Sequence, residues 1–257
     1  SVTINSTTWH GIGLQALAGQ ETNNITIQNC EISNVSHNSI DVHTGNINTK
    51  ILNCSLHDQL VTSIGINYMH VGNGLFASNN TIYNLHDGAY MTEPNGTLDN
   101  CTFWGIESHA VQIAEPNTVL SACNYSDAGA FNVYTNTNAT NFTVSESIFH
   151  DGKGIGVGSA DDWGTLKNTV TRVYPISVYA GSSLKVEYTN GRVFSKSSTV
   201  NTTEISYTPE GSYFYQNATG ATRTNTITAY NYSAKPATGT ATVTPRTPVG
   251  SEICNFT

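Results

Sequence analysis

A short signature returns every 21 to 26 residues along the first two thirds of the chain, and a repeat of that length limits the fold more than any other feature. It reads Asn29-Cys30-Glu31-Ile32, Asn53-Cys54-Ser55-Leu56, Asn79-Asn80-Thr81-Ile82 and Asn100-Cys101-Thr102-Phe103. Looser copies stand at Asn5-Ser6-Thr7-Thr8, Ala122-Cys123-Asn124-Tyr125, Glu146-Ser147-Ile148-Phe149 and Asn168-Thr169-Val170-Thr171. With the second residue of each copy as marker, the mean step is near 23 residues. Helical heptads do not give this period, whereas a coil of short strands stacked on identical coils does.

Two further columns keep the same step. Three residues before the marker stand Ile27, Ile51, Ala77, Leu98, Leu120, Val144 and Leu166. Each coil also carries a pair of apolar residues one apart: Ile12/Leu14, Ile40/Val42, Ile64/Ile66, Ala89/Met91, Val111/Ile113, Phe131/Val133, Ile155/Val157 and Ile176/Val178. Period-two alternation places such pairs on one face of a strand, toward a core.

Composition fits this reading. The chain has 29 Asn, 36 Thr, 24 Ser and 22 Gly among 257 residues, and only 11% charged residues, where a globular domain carries about 25%. Asn and Gly tolerate the left-handed backbone of tight turns, and Asn side chains on successive coils can hydrogen-bond along the axis. A net charge of −8 without a basic stripe argues against nucleic acid. No apolar run reaches the roughly 18 residues of a membrane span.

The recurring Asn turn with its apolar-x-apolar strand resembles the right-handed parallel β-helix proteins of the pectate-lyase-like superfamily, over residues 1–180. The resemblance implies an all-β, right-handed parallel β-helix of about eight coils. It leaves function open, since that superfamily holds polysaccharide lyases, hydrolases, epimerases, tailspikes and non-catalytic surface proteins. After residue 180 the period fades. Asn190-Gly191 signals a hairpin, and short strand-like runs punctuated by Pro209, Pro236, Pro245 and Pro248 predict a small antiparallel, Ig-like β-sandwich over 181–257. The Thr- and Tyr-rich run 227–245 is similar to modules that follow β-helices in archaeal, especially methanogen, surface proteins. Residue 1 already falls within a coil without a capping helix, so the expectation is either a piece of a longer chain or another segment or subunit over that end.

Fourteen Asn-x-Ser/Thr sequons point to an exported, N-glycosylated surface protein. Asn53, Asn79 and Asn100 are reserved by this reading for the turn ladder, to which Asn5 also fits. The expected glycosylation sites are Asn5, Asn24, Asn34, Asn95, Asn124, Asn138, Asn141, Asn201, Asn217, Asn231 and Asn255. Cys30 and Cys54 share a coil position, as do Cys101 and Cys123, so they form either a buried thiol stack or disulfides between adjacent coils. Cys254 is left odd.

Two places are candidates for chemistry. The outward residues flanking the apolar pairs form a polar strip, of which Asp41, His43, Asn67, Tyr90, Gln112, Asn132 and Tyr134 suit the hydroxyls and ring faces of neutral sugars. Glu93-Pro94-Asn95 and Glu115-Pro116-Asn117 repeat 22 residues apart, stacking two carboxylates. Such a pair serves as the acid and nucleophile of a retaining glycosidase, as a calcium site with Asp99 or Asn95, or as a repeated Pro-stiffened turn. No other cofactor is expected. Uronate chemistry is disfavoured, because residues 1–152 contain one basic side chain, Lys50. The expectation is therefore a non-catalytic extracellular structural protein (envelope, adhesin or filament subunit) that self-assembles or joins neighbouring envelope subunits. The alternative is a polysaccharide-active enzyme, a glycoside hydrolase before a lyase, or a carbohydrate-binding module on one sheet face.

Overall fold

The computed structural model describes residues 2–169 apart from 17–19, 44, 60–61, 70–73, 152–153, 160 and 168; beyond 169 it describes only the backbone of nine strands between Val170 and Asn255. The described chain is all-β, winding through three long parallel sheets in turn. The first contains Cys30–Ser33, Ser55–His57, Thr81–Leu85 and Thr102–Ile106; the second Ile40–Val42, Ile64–Tyr68, Asp87–Met91 and Val111–Ile113; the third Lys50–Leu52, Phe76–Ser78, Thr97–Asp99 and Val119–Ser121. About six turns of this parallel β-solenoid, between Cys30 and Lys167, close around one continuous core.

Core columns keep register from coil to coil, with one irregularity in the third sheet between Thr140 and Phe142. In the third sheet Ile27, Ile51, Ala77, Leu98, Leu120, Val144 and Leu166 are successive Cα partners, the column expected from spacing. In the first, Ile32, Leu56, Ile82, Phe103, Tyr125 and Phe149 do the same. Aromatic rings stack up the interior, Phe103 on Tyr125 at 5.3 Å and Tyr125 on Phe149 at 4.7 Å.

The second sheet corrects two pairings. Ile66 and Tyr68, not Ile64 and Ile66, continue the Ile40/Val42 pair, and Val133 and Thr135, not Phe131 and Val133, continue Val111/Ile113. A two-residue slip preserves alternation, so the apolar pattern alone cannot see it. Tyr68 and Thr135 fill inward places that a search for aliphatic pairs passes over. Thr135 does so by donating its hydroxyl to buried Asp162 (Oδ2, 2.7 Å).

The corners account for the Asn content. Asn29, Asn53, Asn79, Asn100, Ala122 and Glu146 hold one left-handed column, with φ of 48 to 56°. A second runs through Asn34, Asp58, Asn84, Gly105 and Asp127, and a third through Asn24, Asn48, Gly74, Asn95, Asn117 and Asn141. Ladders link them along the axis: Asn34 Nδ2 donates to Asn5 Oδ1 (2.9 Å), Asn84 to Asp58 (2.7 Å), Asn100 to Asn79 (2.6 Å), and Asn141 to Asn117 (2.8 Å). Three of the four sequon Asn assigned to ladders, Asn5, Asn79 and Asn100, take part.

Cys30, Cys54, Cys101 and Cys123 are unbridged, buried thiols at one coil position. Each Sγ lies 3.3 to 3.4 Å from the carbonyl two residues before it, and Cys101 and Cys123 also reach carbonyls of the preceding coil, Ala77 O and Leu98 O, at 3.6 Å. Asn80 fills the gap in this column, accepting from Cys54 N (2.8 Å) and donating to Ile51 O (2.9 Å).

Past residue 170, Ser183–Glu187 and Arg192–Lys196 still pair in parallel with the third and second sheets. Parallel pairing reaches Arg223–Tyr230, which pairs antiparallel with Pro236–Val243. Much of the segment expected as a sandwich, including Asn190-Gly191 and the sequons Asn201, Asn217 and Asn231, lies outside the described residues, as does the side chain of Asn255.

Candidate functional site

The outward face of the second sheet is where the polar strip was expected. Its observed column is Asp41, Asn67, Tyr90, Gln112, Tyr134 and Gly156. The lower part is closed. Asp41 and Asn67 are 6% and 3% exposed, because Asn38 (2.9 Å) and Asn67 (2.6 Å) both donate to Asp41 Oδ1. His10 Nε2 stands 3.7 Å from Asp41 Oδ2; burial pulls its pKa down and outweighs the opposing pull of that carboxylate. His43 is half-buried beside this group and its amide extends the ladder to Leu14 O (2.8 Å). Asn132 leaves the strip altogether: the slip in register turns it inward, fully buried, where its Oδ1 accepts from Gly154 N (2.9 Å).

The upper part is organised around Asp87, a residue the sequence presents only as half of an Asp-Gly turn signal. Asp87 opens the strand Asp87–Met91 instead. Its Oδ2 lies 2.8 Å from His86 Nδ1, and its Oδ1 accepts from His109 N (3.1 Å) and Gln112 Nε2 (3.3 Å). His109 Nδ1 sits 3.6 Å from the same oxygen and 2.9 Å from Ser108 Oγ. The His109 ring stacks on Tyr134 at 5.0 Å, and Tyr134 in turn stacks on Phe131 at 5.5 Å. The next coil offers Gly158 there, where a Cβ would come within 2.6 Å of the Tyr134 hydroxyl. Tyr90, Gln112 and Tyr134 are thus brought together, half-buried, with His86, Asp87, His109 and Phe131.

Burial opposes ionisation of Asp87, but the hydrogen bonds from His109, His86 and Ser108 outweigh it and hold the carboxyl well below the usual carboxylate range. A depressed pKa stabilises the fold wherever the unfolded carboxyl would be ionised, above about pH 4, and that contribution fades as pH falls through the folded value. Asp87→Asn is therefore expected to be less stable than the wild type at pH 5, by about 1–3 kcal/mol for weakened buried hydrogen bonds. The gap narrows below pH 4. Urea unfolding of both proteins from pH 7 to 3 measures it, and a gap that widens below pH 4 would refute the assignment.

Glu93 and Glu115 recur at equivalent half-buried turns, as the spacing expects. What the structure joins there is the asparagines, Asn117 Nδ2 donating to Asn95 Oδ1 (3.1 Å). Among the described residues no group of three or more His, Cys, Asp or Glu could hold a metal ion. The Glu93 charge adds to burial in pushing the Tyr68 hydroxyl up to about 12.

The first sheet carries a face that sequence reasoning missed. His57, Tyr83 and Trp104 are successive Cα partners whose rings stack in a column. A shallow depression of about 400 Å³ opens beside them, over Thr3, Glu31, Ser55 and Thr81. The signal was available: all three aromatics stand three residues after their coil markers.

Among solved structures, the chain is similar to the catalytic unit of a thermostable GH87 α-1,3-glucanase from Streptomyces thermodiastaticus (14% identity, TM-score 0.57), with 82% of this chain and 46% of that one covered. It thus spans less than half of the glucanase unit. It is also similar to PfbA, a surface adhesin of Streptococcus pneumoniae (11% identity, TM-score 0.51, 90% and 69% covered). A weaker likeness is to the A-module of the mannuronan C-5 epimerase AlgE6 of Azotobacter vinelandii (15% identity, TM-score 0.46, 76% and 58% covered). No curated protein matches the sequence significantly. These likenesses concern the fold. The profile of the "Right handed beta helix region" matches residues 87–245, more than half of the sequence, and the chain belongs to that family.

Proposed function

We propose that this chain is the non-catalytic solenoid of an extracellular cell-surface protein, one that binds or assembles rather than cleaves. The observation that carries the reading is the state of the second-sheet carboxylates. Asp41 accepts from Asn38 and Asn67, Asp87 accepts from His109 N and Gln112, and Asp87 is held ionised well below neutral pH. A carboxylate held ionised as Asp87 is accepts hydrogen bonds but exchanges no proton with a leaving group near neutrality. The likeness of the fold to a surface adhesin and to a glucanase supports a role at a surface or with carbohydrate.

Finer parts belong to the same proposal: a place in the pectate-lyase-like superfamily, eight coils followed by an antiparallel module, drawn back from 181–257 because parallel pairing continues to Arg223–Tyr230, kinship with archaeal surface proteins, and self-assembly or contact with envelope neighbours. N-glycosylation is part of it as well. A sequon Asn whose amide already donates along a ladder, such as Asn34 or Asn141, is a poorer carrier than Asn5 or Asn24, which only accept. The test is surface labelling of intact cells that make the protein, with glycopeptide mapping of the labelled chain. The expected result is label on the protein and sugar on Asn5 and Asn24. An unlabelled, sugar-free protein confined to the cytoplasm would overturn the proposal.

A further inference from the structure

The outward face of the first sheet differs from that of the second in being open. His57 and Tyr83 stack at 4.6 Å with ring planes 4° apart, and Tyr83 and Trp104 at 4.3 Å and 7°. The column ends at Trp104, which is 38% exposed. The next residue along the ladder is Ser126, whose amide donates to Phe103 O (2.9 Å) and whose side chain is too small to cover an indole. Beside the rings, Thr3, Glu31, Ser55 and Thr81 form one outward column over the depression, with the corner amides of Asn53 and Asn79 at its rim. His57 Nε2 lies 3.5 Å from Glu31 Oε1 and joins the two halves; the Glu31 side chain is 55% exposed.

We infer that this face is a binding site for a neutral oligosaccharide. Sugars present two surfaces at once, a C–H face that packs on aromatic rings and a rim of hydroxyls that both donate and accept. The free end of the Trp104 stack offers the first. A carboxylate, three hydroxyls and two amides offer the second. The absence of Lys and Arg from these strands sets the charge class. The one basic residue of the first 152, Lys50, is in the third sheet, so an anionic sugar meets no counter-charge and a net acidic chain. From Thr3 to the coil of Trp104 is four strand spacings, about 19 Å, which suits a short chain of sugars rather than one.

The inference deepens the surface reading by giving it a ligand class, and it is tested separately. The purified chain is titrated with cellotetraose, maltotetraose, laminaritetraose and mannotetraose, following tryptophan emission and heat. At least one is expected to bind saturably. Trp104→Ala is expected to weaken that binding at least ten-fold and Glu31→Gln several-fold, whereas Gln112→Ala on the second sheet leaves it unchanged. All three variants should still unfold in one cooperative transition near the wild-type midpoint: Glu31 is exposed, Trp104→Ala loses one ring stack at the surface, and Gln112→Ala loses one long hydrogen bond to Asp87. No binding by any of the four sugars, or binding that survives Trp104→Ala and is lost in Gln112→Ala, would overturn the site. Such failure with the protein still labelled on intact cells leaves the surface reading standing. Saturable binding by a protein found only inside the cell removes that reading and keeps the site.

Discussion

Phe103→Ala is expected to lower the free energy of unfolding by about 3–5 kcal/mol, far more than any substitution on the outward faces. Phe103 is fully buried and stacks on Tyr125, which stacks on Phe149. Its ring also crosses the lumen to the second sheet, where a Cβ at Gly88 would come within 2.7 Å of it and 2.3 Å of Ala110 O. Alanine there leaves a void bounded by two sheets. The walls cannot close on it, because backbone hydrogen bonds hold each coil about 4.8 Å from the next. The cost therefore lies toward the upper end for a lost aromatic. Each coil contacts chiefly its neighbours, so a weakened central coil also reduces the cooperativity between the two ends. Urea unfolding should show a lower midpoint and a shallower transition. A loss under about 1 kcal/mol would mean that the ring does not fill the core.

Asn80→Ala is expected to cost about 2–4 kcal/mol, from a side chain that buries no large apolar surface. The amide satisfies two buried backbone groups, Cys54 N–H and Ile51 C=O, and each group left without a partner costs about 1–3 kcal/mol. The same column shows what a partial repair looks like. Ser147 occupies an equivalent place two coils beyond Cys101 and accepts from Cys123 N through its hydroxyl (3.1 Å). Asn80→Ser should accordingly fall between wild type and Asn80→Ala. Equal stability of all three would show that the column is not a hydrogen-bonded element.

The repeat made the solenoid legible because two of its signals are local and redundant. The third-sheet column from Ile27 to Leu166 holds an aliphatic residue at every step, and the first corner needs a left-handed backbone that Asn supplies four times in succession. The second sheet was harder. Its true partners include Tyr68 and Thr135, so aliphatic alternation could be satisfied two residues away, and Asn132 was then assigned to the wrong face. Burial of Asp41 and Asn67 was not legible either, since it depends on Asn38 and on one another across coils. Cα spacing is compatible with cysteines bridged or free, so position along the repeat separates neither arrangement from the other. Asp87 was hidden by its Gly neighbour, a turn signal in isolation but a strand start once the coils stack. The His57–Tyr83–Trp104 column was hidden by chemistry: a search by residue type separates His from aromatics, while a search by coil position unites them.

The solenoid faces are expected to bind sugar without turning it over. This is tested most directly by incubating the native protein with α-1,3-glucan and the four tetrasaccharides and counting new reducing ends. No release above the protein-free control is expected. Release that is lost in Glu115→Gln would contradict it.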